Sequence, residues 1–301
     1  MQKNNLYKSL LEEREIIQIE GEEKLDFLQN LITNNIFILS EKRAIYSALL
    51  SPQGKYLFDF ILFLHVGKKQ KIFLDCEKKR SSELITLLNM YNLRKNISIS
   101  KVIKAKVYVI FGDFNNSFLS KIELKNSVGF SRSTKKEVML IDPRNKILGI
   151  RVIHFTGNLS NQIESINTVD FEKWNYLRIN LGVPEGSIDM EVNKSFLMEN
   201  NFEFINAIDF SKGCYLGQEN TARQKYRATL KKRLMKVKIF GDAIPNGSKI
   251  FYNGKIVGLM RSSSKNIGLA TIRIDEAKNS ALKKTKLSTA ESYIEINEDL
   301  K

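Results

Sequence analysis

Thiols and imidazoles are scarce: 301 residues hold two cysteines, Cys76 and Cys214, and two histidines, His65 and His154. The cysteines lie far apart with no CxxC companion, so in a reducing compartment both are expected as free thiols. Four such side chains cannot build a four-thiolate cluster site, nor do they suit a structural zinc held by this chain alone. A labile cluster bridged between subunits through Cys214 stays open. Long apolar stretches are also missing. A run such as Phe60–Leu64 is far short of the roughly 20 residues a spanning helix needs, so no membrane partner is expected. Lys3, Lys8, Glu12 and Glu13 interrupt the first residues, which do not read as a secretory signal. The expected location is a bacterial cytoplasm, although a processed protein of the mitochondrial matrix would look the same.

Acids are outnumbered, 33 to 48, for a formal net charge of +15, which favours anionic partners. The excess peaks between Thr221 and Lys238, where Arg223, Lys225, Arg227, Lys231, Lys232, Arg233, Lys236 and Lys238 occur without an acid. A nucleic-acid face is one reading. A solvated basic surface is preferred, because no aromatic stacking motif accompanies the run. Weak tRNA contact remains the lesser expectation.

The segment of most mixed chemistry is Lys212-Gly213-Cys214-Tyr215-Leu216-Gly217-Gln218-Glu219, which has no helical or strand period. It reads as a shaped loop presenting Cys214. Lys212 offers a cation that would favour the thiolate, and a helix over Glu219–Tyr226 would place its N-terminus just beyond the thiol. Gly213 and Gly217 are read as positions needing backbone angles closed to other residues. The alternative is a small buried apolar cysteine between ordinary turns.

Along the chain, strands are expected at Glu15–Glu20, Ala44–Leu50, Tyr56–His65, Lys71–Asp75, Ile97–Ile110, Val138–Asp142 and Ile150–His154. Helices are expected at Glu22–Ile32 and Glu77–Tyr91. Ser51-Pro52-Gln53-Gly54 is turn chemistry and makes a hairpin of its flanking strands. Asp59 lies inside the second of these, between Phe58 and Phe60, either half-exposed or buried against a partner or ligand. The stretch 112–136 is polar and motif-free. This rhythm indicates an α+β fold with antiparallel sheets. Asp170 can cap a helix whose inner face reads Phe171, Trp174, Leu177 and Leu181, with Arg178 pointing elsewhere. Acid then gathers at Glu185, Asp189, Glu191 and Glu199, just ahead of the basic run, so these two parts are expected to meet or flank one cleft. After Lys231, short strands at 233–240, 248–252, 255–260 and 267–274, with an Asn253-Gly254 hairpin signature, predict a small β-barrel or sandwich. The boundary is placed to give regions 1–230 and 231–301, with the charged tail Glu291–Lys301 fraying.

The Lys212–Glu219 octapeptide resembles the signature of the YgfZ-type folate-binding proteins, relatives of the aminomethyltransferase (T-protein) of the glycine cleavage system. Further resemblance lies in 27–34, in 50–55 with Asp59, in 181–186 and in 198–201, with Arg223 and Arg233 where the family carries basic residues. The family implies two intertwined α+β, aminomethyltransferase-like folate-binding parts with antiparallel sheets plus a C-terminal β-barrel, and tetrahydrofolate bound in a central channel. On that resemblance Asp59 and Glu199 are candidates for the pterin, Arg223 for the glutamate tail, and Asn201, Gln218 and Glu219 for the same cofactor-binding set. Gln218 and Glu219 would also orient the loop. The motif-free middle region departs from the transferase and favours the YgfZ branch, which is linked to iron–sulfur cluster assembly or repair and to tRNA thiomethylation. The resemblance thus implies a folate-dependent accessory factor with Cys214 and Lys212 at its working loop and iron–sulfur client or assembly proteins as partners. The alternative is a one-carbon transferase acting on an amine or a tRNA base, with Asp59 as general base.

Overall fold

The computed structural model describes residues 5–68, 71–93, 96–241, 244–283, 285–290 and 292–296. The chain forms two compact units, and neither is continuous in sequence. The first gathers 1–50, 58–171 and 204–216; the second gathers 51–57, 172–203 and 217–301.

The first unit is built on two sheets. Five strands run in the order Ile45–Leu50, Tyr56–Leu64, Lys71–Glu77, Arg14–Glu20, Ser98–Lys101. Six more run in the order Asn167–Thr168, Leu6–Leu10, Lys106–Gly112, Ile150–His154, Glu137–Ile141, Ser131–Ser133. The pairings are antiparallel except at the edge, where Tyr7 and Lys8 meet Asn167 and Thr168 in parallel. One face of the six-stranded sheet buries Ile110, Met139, Ile141, Ile150 and Val152 against Leu119, Ile122 and Ile163. Two of these come from short helices, Asn116–Lys121 and Asn161–Glu164, the first of them lying in the stretch that sequence left without a motif.

The expected helix from Glu22 to Ile32 is shorter, Lys24–Gln29, because Ile32 leaves it to bridge Leu49. Likewise Glu77 closes a strand and Lys78–Arg80 turn once before the Ser81–Tyr91 helix begins.

In the second unit the Phe171–Asn180 helix forms, but its inner stripe is shifted by one position. Trp174, Asn175, Arg178 and Ile179 are buried, whereas Phe171 is exposed. Arg178 does not point elsewhere; it is 1% exposed and donates to Asp189 Oδ2 at 2.7 Å, to the Val183 carbonyl at 2.7 Å and to Ser262 Oγ at 2.9 Å. A fully buried carboxylate needs such a partner, and this requirement overrides the apolar period.

The barrel closes in the order Lys232–Phe240, Ile267–Arg273, Lys255–Ser264, Lys249–Tyr252, Leu287–Ser288, Tyr293–Ile296. Closure removes the unpaired strand edges that an open sheet would leave. The Asn253-Gly254 turn has φ of 49° and 75°, as a two-residue hairpin of the primed type requires. Part of the tail expected to fray is the closing strand: Tyr293–Ile296 pairs with Val237–Phe240, and Ile294 is fully buried. Residues 291 and 297–301 lie outside the described residues. Sequence reading also missed the Ile274–Leu282 helix, which buries Ala277 and Ser280.

Candidate functional site

The Cys214 loop is fastened to the segment that follows the Lys24–Gln29 helix. Thr33 Oγ1 donates to the Ala207 carbonyl at 2.7 Å, and Asn34 Nδ2 donates to the Asn206 carbonyl at 2.8 Å. The Asp209 amide donates to the Thr33 carbonyl at 3.1 Å, and the Leu216 amide to the Asn30 carbonyl at 2.9 Å. Lys212 completes the clasp. Its Nζ donates to the carbonyls of Gln29, Ile32 and Asn34 at 2.8, 2.7 and 2.9 Å, and it sits 5.1 Å from the centre of the Tyr215 ring. Burial pushes the Lys212 ammonium down to about 8, with Asp209 pulling it back up. All three of its N–H donors are thus committed to main chain, so the expected counter-charge for the thiol acts instead as the loop's fastener. Cys214 itself is exposed, so the reading as a buried small apolar residue does not hold.

The two glycines of the loop differ. Gly217 has φ +78° and leads into the Gln218–Tyr226 helix, one residue earlier than sequence places its start. Gly213 is not at positive φ, and a Cβ added there would meet nothing within 4 Å. Gly217→Ala is therefore expected to cost about 1–2 kcal/mol, while Gly213→Ala is near neutral. Thermal unfolding of the two variants side by side is the check, and equal melting points would remove the distinction. In the second unit the Ser51–Gly54 turn packs on this same helix start. A Cβ on Gly54 would lie 2.8 Å from the Gly217 carbonyl oxygen, and Asn220 Nδ2 donates to the Gln53 carbonyl at 2.7 Å.

Asp59 is buried at 4% exposure and accepts a hydrogen bond from the Tyr46 hydroxyl at 2.8 Å, which settles the choice its sequence left open. Beyond Tyr46, the Arg144 guanidinium lies 5.6 Å from the tyrosine ring centre and holds Asp142 as a fork, at 3.1 and 3.0 Å. Arg151 bridges Asp142 at 3.1 Å and Asp75 at 2.6 Å, and Arg14 closes on Asp75 at 2.7 Å. Asp75 and Arg151 belong to different sheets, so this buried ionic chain ties the two sheets of the first unit together.

Burial alone would raise the Asp142 carboxyl, but Arg144 and Arg151 together hold it below the usual range. Its folded value lies below its unfolded one, so its contribution is present above the unfolded value of about 3.9 and fades as pH falls through the folded value. Urea midpoints are accordingly expected to drop below about pH 4; a flat profile down to pH 2 would contradict this. Burial pushes the neighbouring Cys76 thiol up to about 12, which makes it inert as a nucleophile beside exposed Cys214.

The remaining candidates lie in the second unit. Glu199 is 8% exposed, with Lys232 at 3.4 Å; burial raises its carboxyl above the usual range, and Lys232 offsets this in part. Asn201 adopts φ +64° and donates through Nδ2 to the Leu234 carbonyl at 2.9 Å. Gln218 is half-buried, Glu219 and Arg223 are exposed, and the Arg223 carbonyl accepts the Arg227 and Ala228 amides that end the helix. The acidic stretch does meet the basic one. Glu203 binds Lys225 at 2.6 Å and lies 3.8 Å from Arg233. Glu203 was not singled out from sequence, although its place between Glu199 and the basic run was the available signal. Among the described residues no group of three His, Cys, Asp or Glu side chains is placed to hold a metal ion.

Residues 231–293 match the family model described as the CAF17 C-terminal beta-barrel domain. Over 307 residues the chain is 23% identical to "Iron-sulfur cluster assembly factor IBA57 homolog, mitochondrial" of Mycosarcoma maydis, covering 88% of this chain and 73% of that one. It is 25% identical over 292 residues to the IBA57 assembly factor of Homo sapiens, covering 89% of this chain and 78% of that one. The chain is similar to these assembly factors over most of its length. Its fold is that of the aminomethyltransferases. The glycine cleavage system aminomethyltransferase T of Bartonella henselae superposes with a TM-score of 0.78 over 98% of this chain and 86% of that enzyme. At 12% identity that likeness speaks to the fold alone. The relatives named are mitochondrial proteins, and among the described residues no helix is long and apolar enough to cross a membrane.

Proposed function

We propose that this chain is an accessory factor for iron–sulfur cluster assembly or repair, working in a reducing matrix or cytoplasm, and that Cys214 is its working thiol. The observation that carries this reading is an exposed cysteine on a loop whose main chain is fixed on both sides by Lys212, Asp209 and Leu216. A thiol so presented can touch a cluster, a sulfur species or a client protein without the loop having to order first. The role of the mitochondrial relatives as iron–sulfur cluster assembly factors supports the same assignment.

Tetrahydrofolate is proposed as the bound cofactor, where it would supply a one-carbon carrier. The side chains are of the right chemistry: Asp59 and Glu199 are buried carboxyls suited to accept pterin N–H donors, and Arg223 is an exposed cation suited to a glutamate tail. Asn201, Gln218 and Glu219 complete the proposed set. The clients would be cluster-dependent enzymes, including those that thiomethylate tRNA.

Calorimetric titration with tetrahydrofolate of the wild type, Asp59→Asn and Cys214→Ala, run beside an assay of a cluster-dependent enzyme, tests both parts. Folate affinity lost in Asp59→Asn and kept in Cys214→Ala, with cluster activity lost in Cys214→Ala, is the expected pattern. If Asp59→Asn is damaging and Cys214→Ala silent in the cluster assay, the one-carbon transferase reading replaces this one.

A further inference from the structure

The closed barrel brings together a row of outward-facing side chains from four strands that are scattered in sequence. Phe240 is paired with Tyr293, Tyr293 with Ser288, and Ser288 with Phe251. Their inward neighbours Ile239, Ile294, Leu287, Ile250 and Tyr252 belong to the barrel core, so the row itself lies on the outer surface. Tyr293 is 57% exposed, and Phe240, Ser288 and Phe251 are half-buried.

The order of sizes matters. A small serine stands between two aromatic residues, and neighbouring strands lie about 4.8 Å apart, so Tyr293 and Phe251 are spaced by about 9–10 Å along the row. A flat ring between two others, in contact at about 3.5–4.0 Å on each side, needs flanking planes about 7–8 Å apart. The gap above Ser288 therefore admits one planar ring. A cavity of about 490 Å³ lies there, lined by Phe251, Asn253, Thr285, Lys286, Ser288 and Tyr293.

The Phe240 end of the row is cationic. Lys286 Nζ lies 4.0 Å and Lys238 Nζ 4.8 Å from the centre of the Phe240 ring. Among the described residues, Glu295 pairs with Lys286 at 4.0 Å and offsets one charge of the pair. Two lysines against one glutamate leave an excess suited to a phosphate beside a bound ring.

We propose that this slot holds the base of a nucleotide, stacked between Tyr293 and Phe251 over Ser288, with its phosphate on Lys286 and Lys238. A base presents a π-face of the right thickness whatever its sequence, and the +15 net charge of the chain favours a phosphate polyanion. This aromatic row is the stacking platform that the basic run lacked when read along the sequence, because its members come from separate strands.

The test uses the full chain and three probes: a fluorescein-labelled uridine 12-mer RNA, the equivalent thymidine 12-mer DNA, and AMP as competitor. The wild type is expected to bind the labelled RNA. Tyr293→Ala is expected to weaken it about tenfold to a hundredfold, the range of one lost stacking contact. Ser288→Phe fills the slot while keeping every charge, and is expected to weaken binding as much. Lys286→Gln is expected to reduce the salt slope by about 0.7, one phosphate on a single strand. Competition by AMP would identify a free nucleotide as the source; binding of 12-mers alone would identify a strand, with RNA against DNA deciding which. Absence of wild-type binding, or wild-type affinity in both Tyr293→Ala and Ser288→Phe, would overturn the proposal. So would displacement of the RNA by tetrahydrofolate but not by AMP.

Discussion

Replacing Arg151 with methionine is expected to lower the unfolding free energy by about 3–5 kcal/mol, the largest stability loss among single substitutions considered for this chain. The side chain is fully buried and bridges two fully buried carboxylates, Asp75 at 2.6 Å and Asp142 at 3.1 Å. Arg14 and Arg144 would still hold one carboxylate each, but the link from sheet to sheet would be gone and each buried carboxylate would lose one charged hydrogen-bond donor. Arg151→Lys keeps the charge, yet a single ammonium cannot reproduce a planar fork that reaches both partners, so about half the loss is expected to persist. Urea unfolding followed by far-ultraviolet dichroism measures both. An unchanged midpoint in Arg151→Met would mean that the apolar faces alone hold the two sheets together.

Cys214→Ala is expected to abolish the activity of a cluster-dependent client while leaving the melting temperature unchanged. The thiol is exposed, and substitutions at such positions usually alter stability by less than about 0.5 kcal/mol. Lys212→Met should fail for a different reason. It removes three hydrogen bonds from one ammonium and leaves the carbonyls of Gln29, Ile32 and Asn34 without that donor, at a cost of about 2–4 kcal/mol. Hydrogen exchange over 206–216 should therefore accelerate in Lys212→Met and stay as in the wild type in Cys214→Ala. Were Cys214→Ala to support full client activity, the thiol would have no part in the function.

What sequence could show was local. The Tyr56–Leu64 strand, the Ser51–Gly54 turn and the Asn253-Gly254 hairpin follow from neighbouring residues, and the structure has them. The Gln218–Tyr226 helix beyond Cys214 was likewise legible, because its formers are contiguous. The misses involve partners far along the chain. Arg178 reads as an outward residue until Asp189 and Ser262 are placed beside it. Tyr293–Ile296 reads as a charged tail until Val237–Phe240 offers an edge to close. Lys212 reads as a cation for its neighbour two residues on, whereas its acceptors lie some 180 residues earlier. At the candidate site, residue types were legible and their commitments were not. Asp59 was marked as costly to bury, but nothing nearby in sequence named Tyr46 as the group that makes burial tolerable.

The division of each unit into separate stretches bears on how the protein is made. The first unit takes its last stretch from 204–216, and the chain passes between units at 50/51, 57/58, 171/172, 203/204 and 216/217. A ribosome adding about 5–20 residues per second needs roughly 10–40 seconds to reach residue 216. Until then Thr33, Asn34 and the carbonyls awaiting Lys212 have no loop to hold, so the nascent chain cannot complete its first unit as it emerges. Both units therefore finish only late in synthesis, and a stop codon just upstream of that loop would leave the first unit without its last stretch and the second without 217–301.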